Sequence, residues 1–344
     1  MVANKRKQWM IYGATGYSGS RTAERAVALG YQPVLAGRSE PEVKKLAERL
    51  GLTWESCDLK DTTKLTQVLS KFSAVLNAAG PFIDTYKPMI EACIKTGTHY
   101  LDISGEVGVY EGLASYQSQA IQAGIMIMPA VGFDMVPGDC LALMLKDKLP
   151  DARELNIAYS FDGTLSRGST RTALVTFSPD TQVRRGGKIT RLAAPIVRNF
   201  DFGSKSSAGT VDCYSATFGD ISIGARTTAI PDITSYMHVT AAFQKLATLT
   251  SAEAVNLLPD GPSDEELKTH SAFIVGEARN KSGKTVRARL TTPQVYAITF
   301  PLAAEIAQQV HGGKLRPGFQ TPAAIFGKDF ILNFERCSLE WLES

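Results

Sequence analysis

The stretch Gly13-Ala14-Thr15-Gly16-Tyr17-Ser18-Gly19 lies between a short apolar run, residues 9–12, and a helical stretch, residues 20–29, that stops at Gly30. An apolar run, a glycine-rich turn and a helix in this order read as strand, tight turn, helix. Such a turn aims backbone N–H groups and the positive end of a helix at an anion. Glycines suit it because a Cβ would block the approach of phosphates. Taken alone, three glycines also fit an ordinary tight turn, so the neighbouring segments must decide between the two.

Those segments alternate. Residues 33–36 read as a strand, 40–50 as a helix stopped by Gly51, 53–57 as a strand, 61–69 as a helix and 74–78 as a strand. Residues 86–96, 100–103, 109–123 and 125–129 continue the pattern, which predicts a doubly wound parallel sheet of the Rossmann type ending near Pro129. A helix is expected from near Pro137 to near Lys148. Beyond it the texture changes to short alternating runs at 155–161, 211–218 and 221–228, separated by Gly-rich polar turns. Helical patterning returns at 238–249 and 295–310, and Ser263 opens a further helix. Residues 273–280 and 285–290, joined by Lys281-Ser282-Gly283-Lys284, read as a β-hairpin. The expected fold is therefore α/β. A Rossmann domain occupies residues 1–136, an α+β domain on a mainly antiparallel sheet occupies 137–319, and segment 320–344 is expected to pack back on the first.

The totals exclude several function classes. The chain has 344 residues, 44% of them hydrophobic and 21% charged, as ordinary two-domain globular proteins do. A formal net charge of +3 supplies no broad polyanion-binding surface, so no nucleic-acid partner is expected. Cys57, Cys93, Cys140, Cys213 and Cys337 are scattered without paired spacing, which argues against a disulfide framework and against a zinc site. His99 and His238 also lack ligand spacing, and no metal is expected. The basic N-terminus runs into a strand, and the longest apolar stretch, 121–133, is broken by Gly124, Pro129 and Gly132, short of the roughly 20 residues that span a bilayer. No membrane span and a cytoplasmic location are expected.

Five strand ends then point to a ligand. Ala36-Gly37-Arg38-Ser39 closes the second strand, where an NAD enzyme usually places an Asp or Glu for the ribose hydroxyls. An arginine there can hold a 2′-phosphate by charge-assisted hydrogen bonds, with Ser39 as a second donor, so NADP(H) is the expected cofactor. Asp58, at the end of the third strand, could accept from the adenine amino group or cap a helix. Ala79-Gly80-Pro81-Phe82 follows the fourth strand and should lie near ribose and nicotinamide. The fifth strand runs into Asp102-Ile103-Ser104-Gly105-Glu106, which brings Ser104, Gly105 and Glu106 toward the same crevice. The sixth is followed by Gly132-Phe133-Asp134-Met135-Val136-Pro137-Gly138-Asp139.

These motifs resemble the saccharopine dehydrogenase-like oxidoreductases, in particular the branch that includes trans-acting enoyl reductases of lipid and polyketide pathways. The resemblance rests on residues 13–19, 36–39, 78–82, 98–106 and 132–139 in that order. It continues through Asp201-Phe202-Gly203, Ile230-Pro231-Asp232-Ile233, Thr321-Pro322-Ala323 and Phe326-Gly327, and so covers nearly the whole chain. The first turn departs from the GSG- or GAG-type turn of saccharopine-forming enzymes, and no counterpart of their substrate-carboxylate site is found, which argues against saccharopine itself. The resemblance implies an NADPH-dependent oxidoreductase that reduces an activated C=C bond of a small or medium organic substrate. Reduction of an imine C=N bond is the alternative within the family. A non-catalytic NADP(H)-binding redox sensor is the alternative of another class.

Hydride transfer asks the protein for a group that stabilises or protonates the developing charge. Tyr86, Glu106 and Asp134 are the candidates, while Asp102 fits a role in holding its own turn. In the second domain, Ser166-Arg167-Gly168-Ser169-Thr170-Arg171 is rich in donors. Arg167, Ser169 and Arg171 could bind an acidic or carbonyl-bearing substrate, or the segment could simply cap a helix beginning near Ser169. The predicted antiparallel sheet could pair across a two-fold axis, giving a homodimer.

Overall fold

The computed structural model describes residues 8–176, 181–240, 244 and 252–343. The chain divides into two compact units. The first comprises residues 1–104, 108–132 and 299–320, and the second 105–107, 133–298 and 321–344.

The first unit is built on a parallel sheet. Strand β1 (Met10–Tyr12) pairs with both β2 (Val34–Gly37) and β4 (Ala74–Asn77), β3 (Trp54–Ser56) flanks β2, and β5 (His99–Asp102) and β6 (Met126–Met128) follow β4. This is the 3-2-1-4-5-6 order of a Rossmann sheet, in which the strand direction of travel reverses between β1 and β4. Apart from β3, these six strands are buried at every position, as expected where helices cover both faces of a parallel sheet. Met10, Val75, Tyr100 and Ile127 from the strands pack with Leu65, Leu69, Met89 and Cys93 from α3 (Thr62–Leu69) and α4 (Phe82–Thr96) in one core cluster. Helices α1 (Tyr17–Ala28) and α2 (Glu40–Leu50) end beside Gly30 and Gly51, both in the left-handed region that glycine tolerates. The single helix expected over 109–123 is two, α5 (Val107–Ala114) and α6 (Gln117–Gln122). Between them the Ser115 and Tyr116 N–H groups reach carbonyls three residues back, and the Ser115 hydroxyl bonds Gly112 O at 2.6 Å. That tightening closes α5.

The C-terminal region does not divide as its texture suggested. Residues 299–320 belong to the first unit: the short strand Gly318–Phe319 pairs with β6, and the Trp9 ring N–H donates to Gln308 Oε1 at 2.9 Å. Gln320 stays with the Rossmann sheet, its N–H donating to Ile127 O at 2.8 Å, whereas segment 321–344 falls in the second unit. Its strand Ser338–Leu342 instead pairs antiparallel with Thr285–Pro293, in a register that sets Leu339 opposite Leu290. The parallel edge at β6 is already taken by Gly318–Phe319, and the hairpin edge of the second sheet offers the backbone partners.

The second unit carries a mixed, mainly antiparallel sheet in the order Val197–Asp201, Thr210–Ala216, Asp232–Met237, Glu154–Phe161, Ser271–Arg279, Thr285–Pro293, Ser338–Leu342. Only Asp232–Met237 and Glu154–Phe161 run parallel within that path. The expected hairpin is present, with Arg279 opposite Thr285 and the turn held by Lys284 N–H donating to Asn280 Oδ1 at 2.9 Å. Helix Val136–Lys148 packs on it across Gly276, where a Cβ would sit 2.6 Å from Leu145 Cδ1. Residues 223–228, read as part of a strand, form a helix, Ile223–Thr228. Ile221, Ile223 and Ala225 alternate with Ser222, Gly224 and Arg226 as in a strand, but the Thr227 and Thr228 hydroxyls bond carbonyls four residues back and the segment packs on helix Val136–Lys148. The helix Asp264–Thr269 begins at a reciprocal Ser263–Glu266 capping box. The helix expected over 238–249 falls largely outside the described residues. Among the described residues, no helix is long and apolar enough to cross a membrane.

Candidate active site

At the carboxyl end of β1 the glycine turn is held from beneath. The N–H groups of Gly13 and Ala14 both donate to Ala36 O, at 2.9 and 3.0 Å, so they fix the turn to β2. Gly13 has φ +79°, and a Cβ there would lie 2.7 Å from Ala79 N. At Gly19 a Cβ would lie 2.2 Å from Gly13 O, which lets α1 close on the turn. Gly16 is different: it is exposed, has an ordinary φ of −73°, and a Cβ would meet nothing nearer than Gly13 O at 3.4 Å. It stands at the N-cap of the 12-residue α1 with no side-chain cap bond, so the positive end of the helix faces outward beside exposed Thr15. Ser18 lies half-buried in the first turn, and the Tyr17 ring sets its edge on Phe300, with centroids 6.0 Å apart.

The adenine end is laid out along β2 and β3. Gly37 is buried, Arg38 is exposed, and Ser39 caps α2 without spending its hydroxyl on a cap bond. Asp58 is exposed, and one of its oxygens accepts from Lys60 N–H at 2.9 Å. The cap of α3 is Asp61, which accepts from Lys64 N–H. The Tyr12 hydroxyl donates to Cys57 O beneath these groups, and burial pushes its pKa up.

After β4, Ala78 N–H returns to Tyr12 O at 2.8 Å and sets Ala79 against the glycine turn. Ala79 is clamped on both sides: its N–H donates to Asn77 Oδ1 at 3.2 Å, and the Thr85 hydroxyl donates to its carbonyl at 2.7 Å. Asn77 and Thr85 went unread in the sequence, although an Asn just before a turn is a usable signal. Gly80 and Pro81 are exposed and Phe82 is half-buried, at the start of α4. Tyr86 points elsewhere. Its hydroxyl lies over Gly112 of α5, 2.5 Å from where a Cβ would stand, so it is a packing residue between two helices.

Asp102 is the lock of β5. Its buried carboxyl accepts from Tyr100 OH at 2.7 Å, Ser104 N–H at 2.9 Å, Ser104 OH at 2.6 Å and Ala130 N–H at 2.8 Å. Burial raises its pKa against those four bonds. Ala130 is held at φ +58°, an uncommon conformation for a residue with a Cβ. Ser104, expected to touch the cofactor, is fully buried and gives both its N–H and its hydroxyl to Asp102. It shapes the strand end and presents no polar group outward.

In the second unit, Gly105 lies against Asp134. A Cβ on Gly105 would fall 2.5 Å from Asp134 Oδ2, and Gly105 N–H donates to Glu106 Oε2 at 2.9 Å. Both acidic side chains are half-buried. Burial, then the adjacent Glu106 carboxylate, push Asp134 up to about 7. The donor-rich segment serves the fold: Ser166 Oγ accepts from Ser169 N–H at 3.1 Å, capping helix Arg167–Thr176. Arg167 bonds Leu258 O and Asp260, and Arg171 bonds Asn256 Oδ1. Both guanidinium groups expected to meet a substrate thus brace the segment 256–260.

Residues 9–128 match the family model described as the saccharopine dehydrogenase NADP binding domain. The N-terminal segment is thus similar to NADP-binding domains of that kind. A trans-acting enoyl reductase of Mycobacterium tuberculosis is 33% identical over 138 residues, 38% of this chain and 33% of that protein. Another protein of that organism, provisionally named as such an enzyme, is 30% identical over 217 residues, 58% of this chain and 51% of its own length. The chain thus spans about half, or less, of the curated relatives it matches. Among solved structures, saccharopine dehydrogenase (L-Glu forming) of Saccharomyces cerevisiae shares the fold, with a TM-score of 0.67, 13% identity and coverage of 98% of this chain and 100% of that one.

Proposed function

We propose that this protein is an NADPH-dependent oxidoreductase that reduces the activated C=C bond of a small or medium organic substrate. The observation that carries the reading is the open Gly16 corner at the N-terminus of α1, followed at the next strand end by exposed Arg38 in place of an acidic residue. The residues fit the dinucleotide. Thr15, Gly16 and the first turn of α1, with Tyr17 and Ser18, take the pyrophosphate, while Gly13, Ala14 and Gly19 set the turn's shape. Arg38 and Ser39 take the 2′-phosphate, Gly37 leaves room beside them, and Asp58 accepts from adenine. Ala79, Gly80, Pro81 and Phe82 flank ribose and nicotinamide. Bound NADPH supplies a hydride. The enoyl choice over an imine is supported by the names of the relatives that align with this chain.

The test is a titration of the purified protein with NADPH, followed by its oxidation against a panel of enoyl thioesters, enones and imines. The expected result is saturable binding, preference for NADPH over NADH, and turnover with C=C substrates. Absence of NADPH binding sinks the reading, and turnover with imines alone moves the substrate class. Binding with no turnover across the panel favours a sensor.

A further inference from the structure

We propose that Phe300 is a positioning residue for the dinucleotide, acting through the Tyr17 ring to fix the first turn of α1 toward the pyrophosphate. The cofactor seat is then completed by a helix that lies outside residues 9–128. This rests on the dinucleotide reading above, and Tyr17 and Phe300 both belong to the first unit.

Residues 299–311 of the helix Val295–His311 run from one end of the parallel sheet to the other. At the amino ends of the strands, polar contacts hold the helix. Gln308 accepts from the Trp9 ring N–H just before β1, Glu305 accepts from the Tyr31 hydroxyl ahead of β2, and His311 Nδ1 lies 2.7 Å from Ser73 Oγ just before β4. At the carboxyl ends, where the glycine turn stands, two adjacent side chains hold it. Thr299 fills the space beside Gly132, where a Cβ would lie 2.9 Å from its Cγ2, and this accounts for the glycine that opens residues 132–139. Phe300 is only 6% exposed and meets the Tyr17 ring at 62°, with centroids 6.0 Å apart.

Tyr17 is the first residue of α1 after its Gly16 cap, so its main chain belongs to the turn whose N–H groups find no carbonyl one turn back. No side-chain cap bond steadies that corner. An edge-to-face ring pair sets both the separation and the tilt of its partners, and here it supplies the missing constraint. Pro301 has no N–H to give to the carbonyl of Ala297, so the turn that carries Thr299 and Phe300 depends on what those side chains touch. The polar contacts at the far end keep the helix seated when Phe300 is cut back, which confines the loss to the corner. Arg38 then sets which nucleotide binds, and Phe300 sets how tightly either one does.

The test is a fluorescence titration of the full chain with NADPH and with NADH, in the parent, Phe300→Leu, Tyr17→Leu and the double variant. Beside it stands the ¹⁵N indole resonance of Trp9, assigned by its absence in Trp9→Phe. Because the Trp9 ring N–H donates to Gln308, that resonance reports the seat of the helix and not the turn. Phe300→Leu is expected to leave the resonance in place and to weaken both nucleotides roughly 3- to 10-fold. Their ratio should stay unchanged, since the pyrophosphate is common to both. Tyr17→Leu is expected to lose at least as much, and the double variant no more than Tyr17→Leu alone, as a pair acting as one unit requires. Parent-like affinity in Phe300→Leu overturns the positioning role. Weaker binding with a shifted Trp9 resonance also overturns it, because the helix itself has then moved. Losses that add in the double variant overturn the route through Tyr17. If Phe300→Leu does not fold, Tyr17→Leu decides, and parent-like affinity there overturns the ring pair. A parent that binds neither nucleotide sinks the dinucleotide reading, and this inference with it.

Discussion

Gly13 and Gly19 are glycines because the protein's own atoms leave no room for a Cβ, whereas the space beside Gly16 is open to solvent. The three positions therefore respond differently to the same change. Gly19→Ala drives a methyl to 2.2 Å of Gly13 O and is expected to cost about 1–3 kcal/mol of stability, read from a urea unfolding curve. Gly16→Ala is expected to melt like the parent and yet bind NADPH roughly tenfold more weakly, a loss of about 1.4 kcal/mol. Equal effects of the two alanines on stability would remove the argument that Gly16 is kept open for a ligand. Arg38 makes the second residue-scale prediction. Arg38→Asp is expected to weaken NADPH binding by roughly 10- to 100-fold and leave NADH unchanged or improved, because a charge-assisted contact to the 2′-phosphate is replaced by repulsion. Binding constants for both nucleotides check it, and an unchanged ratio removes Arg38 from the adenine end. Both residues were legible in the sequence, since a glycine turn and a strand-end arginine depend only on local order. Tyr86 was not, because what its hydroxyl meets is Gly112, from a helix whose approach no local pattern encodes.

Asp102 shows how much of an element's end is decided by contacts distant in sequence. Its bond to Ser104 is an Asx-type turn that the run Asp102-Ile103-Ser104 announces. Its bond to Ala130 N–H, and that of Val131 N–H to its carbonyl, tie the end of β5 to the end of β6 and have no local signature. Replacing Asp102 by Ala strands four donors in a buried place. The expected loss is about 3 kcal/mol or more, seen as a lower urea midpoint with an unchanged slope. Asp102→Asn keeps an acceptor oxygen and is expected to lose less. A loss under about 1 kcal/mol for Asp102→Ala would mean that these bonds do not hold the strand ends together. The same limit explains the two misread elements. The strand expected over 221–228 followed the two-residue alternation of Ile221, Ile223 and Ala225, and the unbroken helix over 109–123 followed a helical one. In each case hydroxyl-to-carbonyl bonds and packing prevailed over the period.

Over the whole chain, the change of texture after residue 148 correctly separated a parallel sheet from a mainly antiparallel one. It could not reveal that residues 299–320 return to the first sheet, because a two-residue strand such as Gly318–Phe319 carries almost no pattern. The second unit also holds a property that composition conceals. Asp134 and Asp139 are pushed up to about 7 and Asp220 to about 6, in each case chiefly by burial. An unfolded Asp titrates near 4, so between about pH 4 and about pH 7 the folded chain holds protons that the unfolded chain has released. Stability from these three groups is full below about pH 4 and is lost as pH rises through 6 and 7, with a slope of up to about 1.4 kcal/mol per pH unit for each. Glu266 works in the other direction. Held at about 2 by the Ser263 and Thr164 donors against the opposing effect of burial, it contributes stability above about pH 4 that is lost as pH falls toward 2. The stability maximum is therefore expected on the acid side of neutrality, and the melting temperature is expected to fall between about pH 4.5 and about pH 7. Asp139→Asn isolates one contributor. Its amide oxygen can still accept from Ala323 N–H, and its NH2 can donate to Thr227, whose hydroxyl can turn to Thr321. The variant should keep the fold, lose that part of the slope, and gain on the parent as pH rises. A melting temperature that is flat over this range in the parent, or a slope unchanged in Asp139→Asn, would place the pH dependence outside the buried carboxyls.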